Sequence, residues 1–244
     1  NSPILVLGKP SCLEVARSYG FQKIYDSQFI FENSPGILPT RKHHNPHAPR
    51  NSLPPIEAAF IFDDPVDWTL DMQVLSDLLI GEEKTTVPSP TDPNNLEHHH
   101  KKFQKIPLFA CNADIVYATD YPHPRYTQGA FVESFRHLFQ LYHQIPLQMT
   151  YYGKPFDIQY RYAEDMLHKQ SEKLGYNHPP LQFFGVGDNP KSDIQGANAA
   201  GDHWHSILVK TGLFPSHGKE NDHEHPANHV CDSIVEAIDY ILKL

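Results

Sequence analysis

The chain has 244 residues, with 20 lysines and arginines against 29 acidic residues and a formal net charge of −9 when histidine is counted neutral. That acidic balance opposes nonspecific binding to nucleic acid or an anionic membrane surface, and no apolar run approaches the roughly 18 residues of a membrane span. Apolar and charged contents of 39% and 20% are those of a globular chain, long enough for one large or two ordinary domains. The three cysteines, Cys12, Cys111 and Cys231, lack a Cys-x-x-Cys spacing, which favours free thiols in a reducing, intracellular compartment over a disulfide framework.

Residues 4–7 read as a short strand stopped at Gly8, residues 12–19 as a helix opened by Ser11 and closed by Gly20, and residues 21–25 as a second strand. The Gly8-Lys9-Pro10 triplet between them reads as a simple strand-to-helix turn. Residues 31–55 are a long connection rich in Pro, His and Asn. Its Arg41-Lys42-His43-His44 run reads as a solvated loop in so acidic a chain. Residues 58–62 form a strand, and Asp64-Pro65 is expected to cap a helix whose face carries Trp68, Met72, Leu75 and Leu79. The acids Asp63, Asp64, Asp67 and Asp71 read as first-turn residues favoured by the helix dipole, not as a metal cluster. Residues 81–104 look like a second breaker-rich linker, holding the His98-His99-His100 run, which reads as a surface loop.

A strand resumes at 106–110, followed by Cys111-Asn112-Ala113-Asp114 and Tyr121-Pro122-His123-Pro124-Arg125-Tyr126. Asn112 and Asp114 can read polar groups of a substrate and Arg125 an anion; local Asx-turn chemistry explains the first pair equally well. Residues 129–143 are a helix with Phe131, Phe135, Leu138, Phe139 and Tyr142 on the expected buried side. Ile145-Pro146 marks a hinge, so residues 1–145 read as one α/β domain and 146–244 as another.

Two stretches in the second domain carry chemistry. Tyr152-Gly153-Lys154-Pro155 precedes a helix over 156–174 that stops at Gly175. Residues 181–186 then form a buried strand, and Gly187-Asp188-Asn189-Pro190 forces a tight loop at its carboxyl end. Ser192 or Asp193 is expected to cap a short helix ending at Gly201, before a strand over 206–209. A right-handed crossover brings Lys154 to the same sheet edge as Asp188, the edge where ligands of open parallel sheets bind. A lysine there neutralises a carboxylate or a phosphate oxygen. The closing helix, 232–242, is expected to bury Val235, Ile238, Ile241 and Leu242.

Gly-Lys-Pro followed by Val186-Gly187-Asp188-x4-Asp193 resembles the third and fourth motifs of the haloacid dehalogenase (HAD) superfamily. The flanking Gly196-Ala197-Asn198-Ala199-Ala200-Gly201 and Lys210-Thr211-Gly212-Leu213-Phe214 are similar to its NagD-like phosphatase branch. The resemblance implies a doubly wound parallel α/β core, present as its C-terminal portion, with an inserted α/β cap over residues 1–145. It implies a magnesium-dependent phosphohydrolase acting on a small phosphorylated molecule through an aspartyl-phosphate, and for this branch a mitochondrial location, with cytoplasmic as the alternative. In that scheme Asp188 ligates Mg2+, Asp193 orients metal waters or Lys154, and Lys154 holds the nucleophile and phosphate. The Asp-x-Asp that supplies the family's nucleophile and acid/base occurs nowhere in these 244 residues. Two expectations follow. Either a segment outside these residues complements the site, or the chain is a noncatalytic binding module that keeps the fold. A receiver-like phosphoacceptor built on Asp188 fits the order Gly-Lys-Pro before Gly-Asp less well. Nucleic-acid partners are not expected; the protein partner is either a second copy, in a homodimer, or a complementing N-terminal segment.

Overall fold

A computed structural model describes residues 2–42, 53–88, 96–176, 178–214 and 220–244, with side chains left out for 85–88 and 96–100. In chain order the elements are β1 (Ile4–Leu7), α1 (Ser11–Ser18), β2 (Ile24–Tyr25), α2 (Ser27–Asn33), β3 (Ala58–Ile61), α3 (Trp68–Leu79), β4 (Ile80–Pro88), β5 (Leu96–Gln104) and β6 (Leu108–Ala110). There follow β7 (Val116–Tyr117), β8 (Arg125–Tyr126), α4 (Gln128–His143), β9 (Thr150–Tyr151), α5 (Asp157–Lys173), β10 (Phe183–Gly187), α6 (Gln195–Ala199), β11 (Trp204–Val209), β12 (His229–Cys231) and α7 (Ile234–Ile241). The chain divides into two compact units: residues 1–111 with 131–150, and residues 112–130 with 151–244.

The first unit is built on a sheet of order β2-β1-β3-β6-β9, in which β1 pairs in parallel with both β2 and β3, and β3 with β6. β1 is apolar on both faces and all four of its residues are buried, as expected of a strand covered by helices on each side. Asp67, not Asp64, caps α3: its side chain accepts from Leu70 N, and Pro65 lies outside the helix. The buried face of α3 is correspondingly Leu70, Asp71, Val74, Leu75, Leu78 and Leu79, with Trp68 and Met72 only half-buried. On α4 the buried stripe runs through Phe131, Phe135, Phe139 and His143, whereas Leu138 and Tyr142 are exposed. His143 lies 2.8 Å from Ser76 Oγ, and burial holds its pKa below the ordinary histidine value. The stretch expected as a linker is instead an antiparallel pair, β4 with β5. Its Gly, Pro and His composition hid pairing that only the register of the two strands creates. His43 and His44 lie outside the described residues; His98–His100 lie on β5.

Asp71 is only 6% exposed, and burial pushes its pKa up to about 6, with the charges of Asp67 and Asp26 adding to the rise and contacts from Ser27 and the Asp67 backbone opposing it. An ordinary aspartate titrates near 4, so between these values the folded state binds the proton that the unfolded state has released. The stabilisation is therefore complete below about pH 4 and is lost as pH rises through about 6, amounting to about 2–3 kcal/mol. Asp71→Asn is expected to match the wild type near pH 4 and to exceed it by that margin at pH 7.5 in urea unfolding. An unchanged difference across this range would rule out a buried, titrating Asp71.

The second unit carries a parallel sheet of order β10-β11-β12. Successive residues of β10 point to opposite faces. Phe183 packs with Tyr160 of α5, Ala197 and Trp204, while Phe184 and Val186 pack with the cluster of Ile207, Val209, Cys231 and Ala237 on the α7 side. Gly175 ends the lead from α5 with φ +84°. Asn189, and neither Ser192 nor Asp193, opens the turn that follows β10: its Oδ1 accepts from Lys191 N. The backbone then makes a π-helical turn over Pro190–Ile194 before α6. The closing helix α7, capped by Ser233, buries only Ala237 fully; Val235, Ile238 and Leu242 are exposed, against expectation. Periodicity aligned these residues on the helix but could not say what covers them.

Candidate active site

The carboxyl end of β10 gathers the charged groups singled out by the sequence. Asp188 directly follows the strand, and its Oδ2 accepts from Leu213 N at 2.7 Å. Asp193, at the end of the π-helical turn, turns back: Oδ2 accepts from Asn189 N at 3.0 Å and Oδ1 receives Lys154 Nζ at 2.5 Å. Lys154 thus arrives from the loop before α5 at the same sheet edge. Burial on its own would lower the Lys154 pKa, but the bond to Asp193 and the charges of Asp193, Asp114 and Asp188 outweigh it, holding the ammonium form above the ordinary range.

Two glycines permit this crowding. A Cβ at Gly187 would overlap the Asp193 carboxyl group, and one at Gly212 would overlap Asp188 Oδ2. Gly212 also has φ +51°, which favours glycine. The approach of the Thr211-Gly212-Leu213 turn to Asp188 is what lets the Leu213 amide hold that carboxylate in place.

Asp114 joins the group from the segment 112–130. Its Oδ1 accepts from Asn189 Nδ2 at 3.1 Å. Burial raises its pKa, the Asp193 and Asp188 charges add to the rise, and Ser192 and Lys154 partly offset it. Asn112 is placed differently: its side chain accepts from Asp114 N at 3.0 Å, an Asx turn that presents Asp114, while its own N–H donates to Gln128 Oε1. Arg125 lies on β8 with its guanidinium 4.4 Å from the Tyr121 ring centroid. It donates to the carbonyls of His123 and Pro124, and among the described residues it makes no contact with the carboxylates of the site. A cavity of about 590 Å³, lined in part by Asp114, Val116, Pro155, Asn189, Lys191 and Leu213, opens beside this group. Asn189 is the residue that sequence reasoning missed; an Asn before Pro at a strand end signals a cap, but not its second bond to Asp114.

Among the described residues no three His, Cys, Asp or Glu are grouped so as to hold a metal unaided. Magnesium asks for less: one or two carboxylates, several waters and a substrate phosphate. Asp188 is a carboxylate of that kind, with one oxygen held by the Leu213 amide.

The second unit is thus a parallel α/β unit whose carboxyl edge presents a lysine and a loop-borne aspartate. The family model described as HAD-hydrolase-like matches residues 151–237. The chain is 38% identical over 189 residues to a cardiolipin synthase (CMP-forming)/mitochondrial hydrolase fusion protein of Schizosaccharomyces pombe, covering 78% of this chain and 29% of that protein. It is 31% identical over 238 residues to a mitochondrial hydrolase of Saccharomyces cerevisiae, covering 87% of this chain and 65% of that one. Its fold is similar to that of a possible sugar phosphatase of the HAD superfamily from Cytophaga hutchinsonii, with TM-score 0.54 at 17% identity, covering 96% of this chain and 64% of the other. The chain resembles HAD-like hydrolases, through the family model over residues 151–237 and through these relatives. It spans just under a third of the first of these curated relatives and just under two thirds of the second.

Proposed function

We propose that residues 146–244 are the lysine- and metal-bearing part of a magnesium-dependent phosphohydrolase site for a small phosphorylated molecule, with residues 1–145 acting as its cap. The observation that supports this most is Lys154 held on Asp193 beside Asp188 at one sheet edge. Magnesium, when bound through Asp188, offsets charge on the phosphate. Lys154 neutralises a phosphate oxygen and an attacking carboxylate as a point charge. Asp193 positions Lys154, and Asn189 ties the loop to Asp114, which faces the cavity where the leaving group would sit.

An aspartyl-phosphate route requires a nucleophilic carboxylate with an acid/base partner. The Asp-x-Asp that serves elsewhere in the family is not among these residues, so the attacking pair is proposed to come from outside them. The same observation favours a second reading, a noncatalytic phosphate-binding module. A mitochondrial location is proposed from the two mitochondrial relatives.

The test is hydrolysis of p-nitrophenyl phosphate with magnesium. The 244 residues alone should give no turnover above background, since positioning groups cannot attack phosphorus. The full-length protein should turn the substrate over, and Asp188→Asn should abolish that turnover. Robust turnover by the 244 residues alone would overturn the assignment of roles. An inactive full-length protein that still binds phosphate would establish the binding module.

A further inference from the structure

The first unit holds a cavity for which the proposed phosphohydrolase chemistry has no use. Its chain runs from β1 to β2 on one side and then returns to β3 on the other. A reversal of this kind opens a crevice at the carboxyl ends of the two central strands, where ligands of open α/β sheets bind. A cavity of about 290 Å³ lies there, between the turn after β1, the start of α2 and the start of α3.

The cations around it are already paired. Lys9 is paired with Asp63 at 2.9 Å, and Arg41 with Asp67. Asp26 and Asp67 cap α2 and α3, accepting from Phe29 N and Leu70 N, so neither helix start is left to attract an anion. Asp71 lines the same cavity, nearly buried, and among the described residues no cation pairs with it. Ser27 is 5% exposed and lines the cavity too. Its Oγ lies near enough to Asp71 to favour the carboxylate, yet makes no hydrogen bond of ordinary geometry. A buried hydroxyl without a partner and a buried carboxylate without a cation are costly unless a ligand completes them. Leu7, Leu13 and Leu70 supply apolar wall. No metal-holding group of three acids or histidines is formed among the described residues.

We propose that this cavity is a second small-molecule site that takes a compact organic ammonium ion, its N–H groups donated to Asp71 and Ser27 and its hydrocarbon part set against the leucines. Three donors on one nitrogen match two acceptors on a carboxylate and one on a hydroxyl, and the positive charge answers the buried Asp71 carboxylate, which no cation pairs with among the described residues. The destabilising charge of Asp71 at neutral pH then has a use, since such trade-offs collect at binding sites.

Cyclohexylamine and its neutral isostere cyclohexanol, titrated calorimetrically into the 244-residue chain at pH 7.5, test the proposal. The amine should bind saturably and at least about tenfold more tightly than the alcohol. Asp71→Asn, expected to be more stable than wild type at this pH, should erase the difference. Val66→Trp alters a residue 72% exposed at the cavity, and should weaken both ligands without disturbing the fold. At pH 5 the amine should bind several-fold more weakly as Asp71, which shares the cavity with Asp26, Asp67 and Lys9, takes up a proton. Absence of saturable amine binding, equal binding of amine and alcohol, or undiminished amine binding by Asp71→Asn or Val66→Trp would overturn it.

Discussion

Gly187→Ala is expected to destabilise the second unit by about 2–3 kcal/mol and to separate Lys154 from Asp193. The added Cβ would overlap both the Cβ and the carboxyl group of Asp193, so a rotamer change cannot relieve it; the whole turn after β10 must move. That turn carries Asn189, whose amide holds Asp193 and whose side chain holds Asp114. A single methyl therefore loosens the Lys154, Asp193 and Asp114 contacts together. Urea unfolding measures the loss. Combining the change with Asp193→Gly should recover part of the stability by removing the overlap, less about 1 kcal/mol for glycine in a helical turn. Simple additivity of the two changes would show that the overlap is not the cause.

The 244-residue chain should self-associate at micromolar concentration. Among the described strands β10 lies at the edge of its sheet, with one row of backbone groups available for pairing. The helices on its two faces carry uncovered apolar residues. On α5, Ile158, Tyr162 and Met166 recur at a spacing of four, with Tyr162 65% exposed; on α7, Val235 is 65% exposed and Leu242 79%. Contiguous apolar surface of this kind marks a docking face or an association hazard. Light scattering should show species larger than a monomer, and Tyr162→Lys with Val235→Lys should reduce them. A monodisperse, cooperatively melting wild-type monomer would contradict the expectation.

Lys154, Asp188 and Asp193 were legible because local chemistry fixes them: breakers place Asp188 at a strand end, and the helix after Pro155 brings Lys154 back to that edge. The fold class was legible for the same reason, since apolar strands alternate with periodic helices in both units. What escaped depends on approaches distant in sequence. Nothing in a Thr-Gly-Leu triplet says that its amide will grip an aspartate at 188, and nothing near Asn189 announces a bond to Asp114. Asp71 is a first-turn acid of α3, as read, but it lies four residues before Leu75 and so on that buried face, which its acidic neighbours hid. The β4–β5 pair escaped because its composition suits loops, and the exposure of α7 because an amphipathic pattern names a face without naming its cover.

Binding of inorganic phosphate with magnesium to the 244-residue chain, followed calorimetrically, tests the central claim most directly. Lys154 and the Asp188-held cation together should give saturable binding that requires magnesium. Lys154→Ala and Asp188→Asn should each weaken it at least about tenfold, as removal of one charged partner does, while melting temperatures stay close to wild type for Asp188→Asn. Phosphate binding that survives both substitutions, or that ignores magnesium, would contradict a phosphohydrolase site at this edge of the sheet.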